Sequence, residues 1–307
     1  MNKPLPMDLT GLQTISLHDR PGKVAIADFA APGQPGSKLT SLFPPLLAAN
    51  SFRAIVDAIA SAKAKNKPIL FGLGGHVIKC GLAPVLIDLM HRGFATSFSM
   101  NGSAAIHDYE IALCGSTSED VEAVLPDGRF GSAEETGREM NGAIRPGIGL
   151  GEAYCASLQT APFAAHSLLA QAGRASVPVT VHVAIGTDTP HTHPAVNPAA
   201  LGAATHHDFR LFCTLVSHMN EGGVYLNIGS AVIMPEVFLK AVSTTRNLGH
   251  PLTRFTTANF DFLQHYRPRL NVVERPHAGA GGKGYAITGH HEIMIPLLAM
   301  ALRETES

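Results

Sequence analysis

Tryptophan is absent from this 307-residue chain, cysteine occurs four times, and only 15% of the residues are charged. Each shortage excludes something. Cys80, Cys114, Cys155 and Cys213 stand apart, in no CxxC or CxxCH spacing, so they do not build a disulfide framework. Reduced thiols in a cytoplasmic protein are the expectation. Lys+Arg 23 against Asp+Glu 24 leaves a net charge of -1, and no long basic stripe supplies the counterion release that phosphate backbones demand. Nucleic acid is therefore not an expected partner. The longest apolar run, Ile293 to Leu302, is interrupted by Pro296 and reaches half a membrane span, while Met1 to Thr10 has a lysine but no apolar signal core. Neither export nor a membrane is expected. What is present is globular: 45% of the residues are hydrophobic, enough for a large core. The length suits one large α/β unit or two closely joined halves. Sixteen histidines call for separate explanations, because imidazole titrates near neutral pH and ligates metals and phosphates.

Punctuation and periodicity divide the chain. Residues 1–50 hold Ala31-Pro-Gly-Gln-Pro-Gly36 and Phe43-Pro44-Pro45 and read as an N-terminal arm, with a single domain over 51–307. Phe52, Ile55, Val56, Ile59 and Ala60 fall at helical spacing behind Ser51, a plausible N-cap, and the helix ends near Asn66. Pro68 to Leu73 is a short apolar run stopped by Gly74-Gly75, the pattern of a strand buried on both faces. A helix from Val77 to His91 and a strand from Ala95 to Met100 follow. The alternation resumes with strand 177–184, helix 200–219, strand 223–228, helix 235–247 and strand 254–259, and a helix over 292–304 closes it. A helical section lies between, at about 103–175. Such alternation predicts an α/β fold with a doubly wound, mostly parallel sheet. In that class ligands bind beyond the carboxyl ends of the strands, so chemistry is sought after Leu73, Met100, Ala184, Ile228 and Ala258.

Gly72-Leu-Gly-Gly-His76 opens like a dinucleotide turn, but the third glycine of GxGxxG would fall at Val77, and no acidic residue closes the next strand. A tight turn needing glycine for steric reasons explains it equally well. Gly186-Thr-Asp-Thr-Pro-His-Thr-His-Pro194 offers Asp188, His191 and His193 as N/O ligands to one metal, provided the loop is extended so that both imidazoles point the same way. The alternative is a polar loop whose histidines bond phosphate or backbone. No HExxH helix pair is present, and Ser116, Ser118 and Ser230 lack the GxSxG elbow of serine hydrolases.

Longer stretches resemble deoxyhypusine synthase. Residues 75–111, from Gly75-His-Val-Ile-Lys-Cys through Met100-Asn-Gly-Ser-Ala-Ala-Ile-His-Asp-Tyr-Glu110, are similar without a gap to a region where that family has Ser-Asn-Leu-Ile-Ser-Ser-Gly and then Thr-Thr-Ala-Gly-Gly-x-Glu-Glu-Asp. Phe255-Thr-Thr-Ala-Asn-Phe-Asp261 resembles its Asn-Thr-Ala-Gln-Glu-Phe-Asp, and Ile295-Pro-Leu-Leu298 its Phe-Pro-Leu-Leu. The resemblance implies a Rossmann-like NAD-binding fold, a homotetramer or homodimer, and an amine substrate: the family oxidises spermidine and transfers its aminobutyl group to a lysine. It implies cofactor contacts at Gly75, His76 and Lys79, at Asn101, Gly102 and Ser103, at Asp108, at Gly229 and Ser230, at Thr257 and Ala258, and at His290. Helix N-termini after glycine turns suit a diphosphate, since their unpaired N–H groups and dipole favour anions.

The departures carry equal weight. The family's nucleophilic lysine lies in Trp-Gly-Lys, whereas the matching stretch here is Val272-Val-Glu-Arg-Pro-His277. Covalent transfer would then need Lys283, in Gly281-Gly-Lys-Gly284, to reach the same place. The leading expectation is an NAD enzyme that oxidises a small amine, amino acid or polyamine to an imine, with His191, His193 or His107 taking the proton and Asp188 or Asp108 holding the cationic amine. Two alternatives stay open: a metal-dependent hydrolase using Asp188, His191 and His193 with Glu292 as base, and a noncatalytic NAD-sensing module.

Overall fold

The computed structural model describes residues 3–306. Six strands form one sheet: β1 (Ile69–Leu73), β2 (Ser97–Asn101), β3 (Val179–His182), β4 (Val224–Ile228), β5 (Thr256–Asp261) and β6 (Lys283–Thr288). Their order is β3-β2-β1-β4-β5-β6, and every neighbouring pair is parallel. The expected doubly wound α/β class is what the chain adopts. Its helices are α1 (Leu47–Ala64), α2 (Gly75–Lys79), α3 (Ala83–His91), α4 (Gly102–Cys114), α5 (Val121–Val124), α6 (Glu134–Ala143), α7 (Leu150–Ser157), α8 (Leu168–Arg174), α9 (Pro198–Ser217), α10 (Ile233–Asn247), α11 (Tyr266–Pro268) and α12 (His291–Arg303). None is long and apolar enough to cross a membrane.

Strand residues alternate between two helical layers because successive side chains leave opposite faces of the pleat. Ile69, Phe71 and Leu73 join Leu226, Ile228 and Phe260 in a core with residues of α1, α3, α4, α7, α8 and α12. Leu70 and Tyr225 pack instead among Phe212, Val216, Met234 and Phe238 of α9 and α10. Burial on both faces is why β1, Ile69-Leu-Phe-Gly-Leu73, reads as a continuous apolar run rather than an alternating one.

Several boundaries differ from the sequence reading. The first helix begins at Leu47 with Leu46 as its cap, so Ser51 lies within it and caps nothing. The stretch read as one helix from Val77 to His91 is two, separated at Gly81, whose φ of +80° is left-handed. The sixth strand, β6, occupies a glycine-rich segment that the reading assigned to no element. Its backbone pairs along all of β5, from Lys283 opposite Thr256 to Thr288 opposite Asp261, so sheet pairing overrides weak strand propensity. Before α1 the chain has two short 3-10 turns, Ile26–Asp28 and Leu39–Leu42, and leaves Leu5, Ile15 and Ile26 in solvent.

Candidate functional site

Strand order reverses direction between β1 and β4, so the chain leaves these two adjacent strands toward opposite faces and opens a crevice at their carboxyl ends. Two glycine turns meet there. The Gly74 N–H donates to the carbonyl of Ile228 at 2.9 Å, and a Cβ on Gly74 would overlap the carbonyl of Gly229. Gly229 has φ +67°, and a Cβ there would press on Val77 and the His291 ring at 3.0–3.1 Å. The glycines are thus demanded by backbone contact across the crevice. A Cβ on Gly75 would strike Ser103, so α2 and α4 also start side by side. The turns after β1, β2 and β4 therefore adjoin rather than scatter. Behind the β4 turn, Ser230 Oγ accepts from the Met234 N–H at 3.1 Å and fixes the start of α10.

The turn after β2 is already filled by a carboxyl group of the chain itself. Asn101 caps α4 by accepting from the Ala104 N–H at 2.9 Å, and the Asp188 carboxylate lies against Gly102, so closely that a Cβ there would overlap it. Asp188 Oδ2 accepts from the Ala184 N–H at 2.9 Å, and burial raises its pKa. The helix end favours negative charge, and the protein supplies its own. Gly102 is a packing position, and a diphosphate is better matched to the Gly74–Gly75 and Gly229–Ser230 turns.

On the β5 and β6 side, His76, Phe262, His290 and His291 form an aromatic group. The His76 and His291 rings lie 5.4 Å apart, and Phe262 stacks on His290 at 6.0 Å with 12° between planes. His291 is 1% exposed, and its Nδ1 has no partner. Burial lowers its pKa. Across α2, His107 Nδ1 lies 2.8 Å from Thr117 Oγ1, and burial followed by the Lys79 and His76 charges lowers its pKa, so this imidazole is neutral at pH 7.

Several predicted residues are elsewhere. Asp108 is fully buried, accepting from Ser167 Oγ at 2.5 Å and from the Leu168 and Leu169 N–H groups at 2.7 and 2.9 Å. Burial raises its pKa to about 6, and it holds the start of α8 instead of a cofactor or amine. The loop at 188–193 is not extended: Thr189–Thr192 is a 3-10 turn, so His191 and His193 diverge. His193 Nε2 pairs with Glu134 Oε2 at 3.1 Å, and His191 faces Asn141 and Tyr154 in a small internal hollow beside Asp188. Asp188, His191 and His193 do not converge on one ion, which corrects the hydrolase alternative. Thr257 and Ala258 sit inside β5, opposite Tyr225 and Leu226, because the strand runs on to Asp261. Thr257 Oγ1 donates to the Val272 carbonyl at 2.6 Å and neither residue reaches the crevice. Lys283 begins β6 and is exposed, its Nζ 5.2 Å from the Tyr285 ring centroid. It lies at the amino edge of the sheet, some five residues or about 16 Å along the strand from the carboxyl edge.

Residues that sequence reasoning missed line the floor. Asn227 Nδ2 donates to the Ser230 carbonyl and to Asn259 Oδ1 at 2.9 and 2.7 Å, and Asn259 Nδ2 reaches Gln264 Oε1 at 2.8 Å. Asn227 and Asn259 are fully buried and in register on β4 and β5. A buried amide in a strand was the available signal: Asn is depleted from strands and costly inside unless bonded.

No protein-family model and no curated protein sequence matches the chain. Solved structures do share its fold. A conserved protein from Methanococcus maripaludis S2, provisionally described as LOR/SDH, is similar over 84% of this chain and 70% of its own, at 15% identity and a TM-score of 0.55. ArgZ, an arginine dihydrolase from the ornithine-ammonia cycle in cyanobacteria, is similar over 84% of this chain at 15% identity and a TM-score of 0.51. This chain spans 33% of ArgZ. A protein from Entamoeba histolytica provisionally described as a deoxyhypusine synthase aligns over 83% of this chain and 88% of its own at 10% identity and a TM-score of 0.49. The first two share the chain's fold at low identity, in line with the doubly wound α/β class expected from the sequence.

Proposed function

We propose that the chain is an NAD-binding enzyme that oxidises a small amine or amino acid. The observation that carries the reading is the contact of the Gly74–Gly75 and Gly229–Ser230 turns at the β1–β4 reversal, where a dinucleotide binds in sheets of this order. Bound NAD would supply a hydride acceptor. The chain's own groups would do the rest. Backbone N–H groups of Gly75, His76 and Ser230 at the two turns would be the anion donors, and the amide bond of Asn227 to Asn259 ties β4 to β5 beneath them. Neutral His107, beside Gly75, can accept a proton from an amine, and Asp188, beside Gly102, can hold a cationic one. ArgZ, similar in fold, is named for a nitrogen-rich amino acid, which favours amino acids within this substrate class. Lys283 begins β6 at the amino edge of the sheet, away from the crevice, which supports oxidation without transfer to an enzyme lysine.

Calorimetric titration of the full chain with NAD tests this, with a one-to-one stoichiometry expected. Absence of heat and of any thermal shift at millimolar cofactor removes the reading. Binding without absorbance change at 340 nm, on the order of a small amine and amino-acid panel, would favour the noncatalytic sensing module instead.

A further inference from the structure

His76 and Cys80 are four residues apart on α2 and its cap, so one helical turn brings them to the same face. Glu292, in the first turn of α12, meets them from the other side of the crevice. One ligand atom from each, imidazole nitrogen, Sγ and carboxylate oxygen, lies within 4.8 Å of the others. This is the sole such group of three among the described residues. Around a tetrahedral ion with bonds of 2.0–2.3 Å, neighbouring ligands stand about 3.5 Å apart. Side-chain rotation closing the group by about 1 Å would complete the site, and two of its members are half-buried rather than free in solvent.

From this geometry we infer that His76, Cys80 and Glu292 bind a divalent transition-metal ion of the zinc type, with a fourth position open. The donor set selects the class: thiolate and imidazole suit zinc, cobalt or iron, whereas magnesium and calcium take oxygen ligands. Three protein ligands and one free position is the pattern of a reactive rather than a structural zinc site. A second observation is independent of the three ligands. The Nδ1 of His291 is buried without a partner, and its ring lies 5.4 Å from that of His76. Such an orphan requires an explanation, and water on the ion's open position would provide its hydrogen bond. Opposing the ion are the Lys79 ammonium and the imidazoles of His290 and His107 near the group. His290 Nδ1 stands 3.9 Å from Glu292 Oε1 and competes for that carboxylate. The site is separate from the loop of Asp188, His191 and His193, and it does not depend on the dinucleotide reading.

The test uses the full-length chain without an affinity tag, stripped of metal and titrated with Co2+ and then Zn2+ alone. One ion per chain is expected, with a cobalt–thiolate charge-transfer band in the near ultraviolet that Zn2+ abolishes. Cys80→Ser should remove that band. Cys80→Ser and Glu292→Gln should each weaken binding at least about 100-fold, more than the 10–100-fold that outer partners cost. Glu292 is exposed, so its variant folds normally and keeps the test valid if Cys80→Ser does not. His193→Ala should leave binding unchanged. No stoichiometric binding, a cobalt spectrum without the thiolate band, or affinity insensitive to Glu292→Gln overturns the inference.

Discussion

Asp208→Asn isolates one buried charge whose effect on stability has a definite sign. Asp208 lies on α9, 1% exposed, with Oδ2 accepting from the Gly151 and Val181 N–H groups at 2.9 and 2.8 Å and Oδ1 unpartnered. Burial outweighs these donors and raises its pKa to about 7. A carboxyl whose folded pKa is raised binds its proton more tightly when folded. Its contribution to stability is therefore fully present below the unfolded pKa and lost as pH climbs through the folded one, a window from about 4 to about 7. A rise of about three units at 1.36 kcal/mol each makes the loss about 4 kcal/mol. The amide keeps the Oδ2-like acceptor and never ionises. Near pH 4 the variant should match the parent to within about 1 kcal/mol, and by pH 8 it should be the more stable by about 2–4 kcal/mol. Urea unfolding at half-unit pH steps measures the difference directly. The carboxyl of Asp108 has the same sign and is present in both proteins, so it cancels in the difference. Parallel stability curves, with a gap independent of pH, would refute the argument.

Two further substitutions test the crevice. Gly74→Ala puts a methyl onto the Gly229 carbonyl and should cost about 1–3 kcal/mol of stability by thermal unfolding, while abolishing any NAD-induced shift in melting temperature. Lys283→Ala, at the amino edge of β6, should change stability by no more than about 0.5 kcal/mol and leave NAD affinity and turnover as they were; a large loss of turnover would restore that lysine to the chemistry.

What could be read from the sequence was local or periodic. The short runs at 69–73 and 224–228, apolar but for Gly72 and Asn227 and each ended by glycine, announced buried parallel strands. The turns at Gly74 and Gly229 were recognisable for the same reason. β6 was not, since Lys283-Gly-Tyr-Ala-Ile-Thr288 is a strand only because β5 offers its edge. The fifth strand ends at Asp261 rather than near Ala258, and that shift took Thr257 and Ala258 out of the crevice. Asp108 looked like a ligand because a family pattern has an acidic residue there, whereas the helix start at Leu168, sixty residues on, gives it a structural partner that no local pattern announces. The divergence of His191 and His193 rests on one 3-10 turn, and the meeting of His76 and Cys80 with Glu292 on the packing of α12 beside α2.

The amide pair of Asn227 and Asn259 has a bearing on how the chain finds its alignment during folding. Neighbouring parallel strands rich in aliphatic residues can slide past each other at little cost, since one apolar side chain fills another's place tolerably well. Sliding β4 against β5 by one position would strand both carboxamides against hydrocarbon, without water or a mate, and each would carry a penalty of about 1–3 kcal/mol. The pair therefore acts as a ratchet tooth, admitting a single alignment of the two strands and with it the meeting of the loops above them.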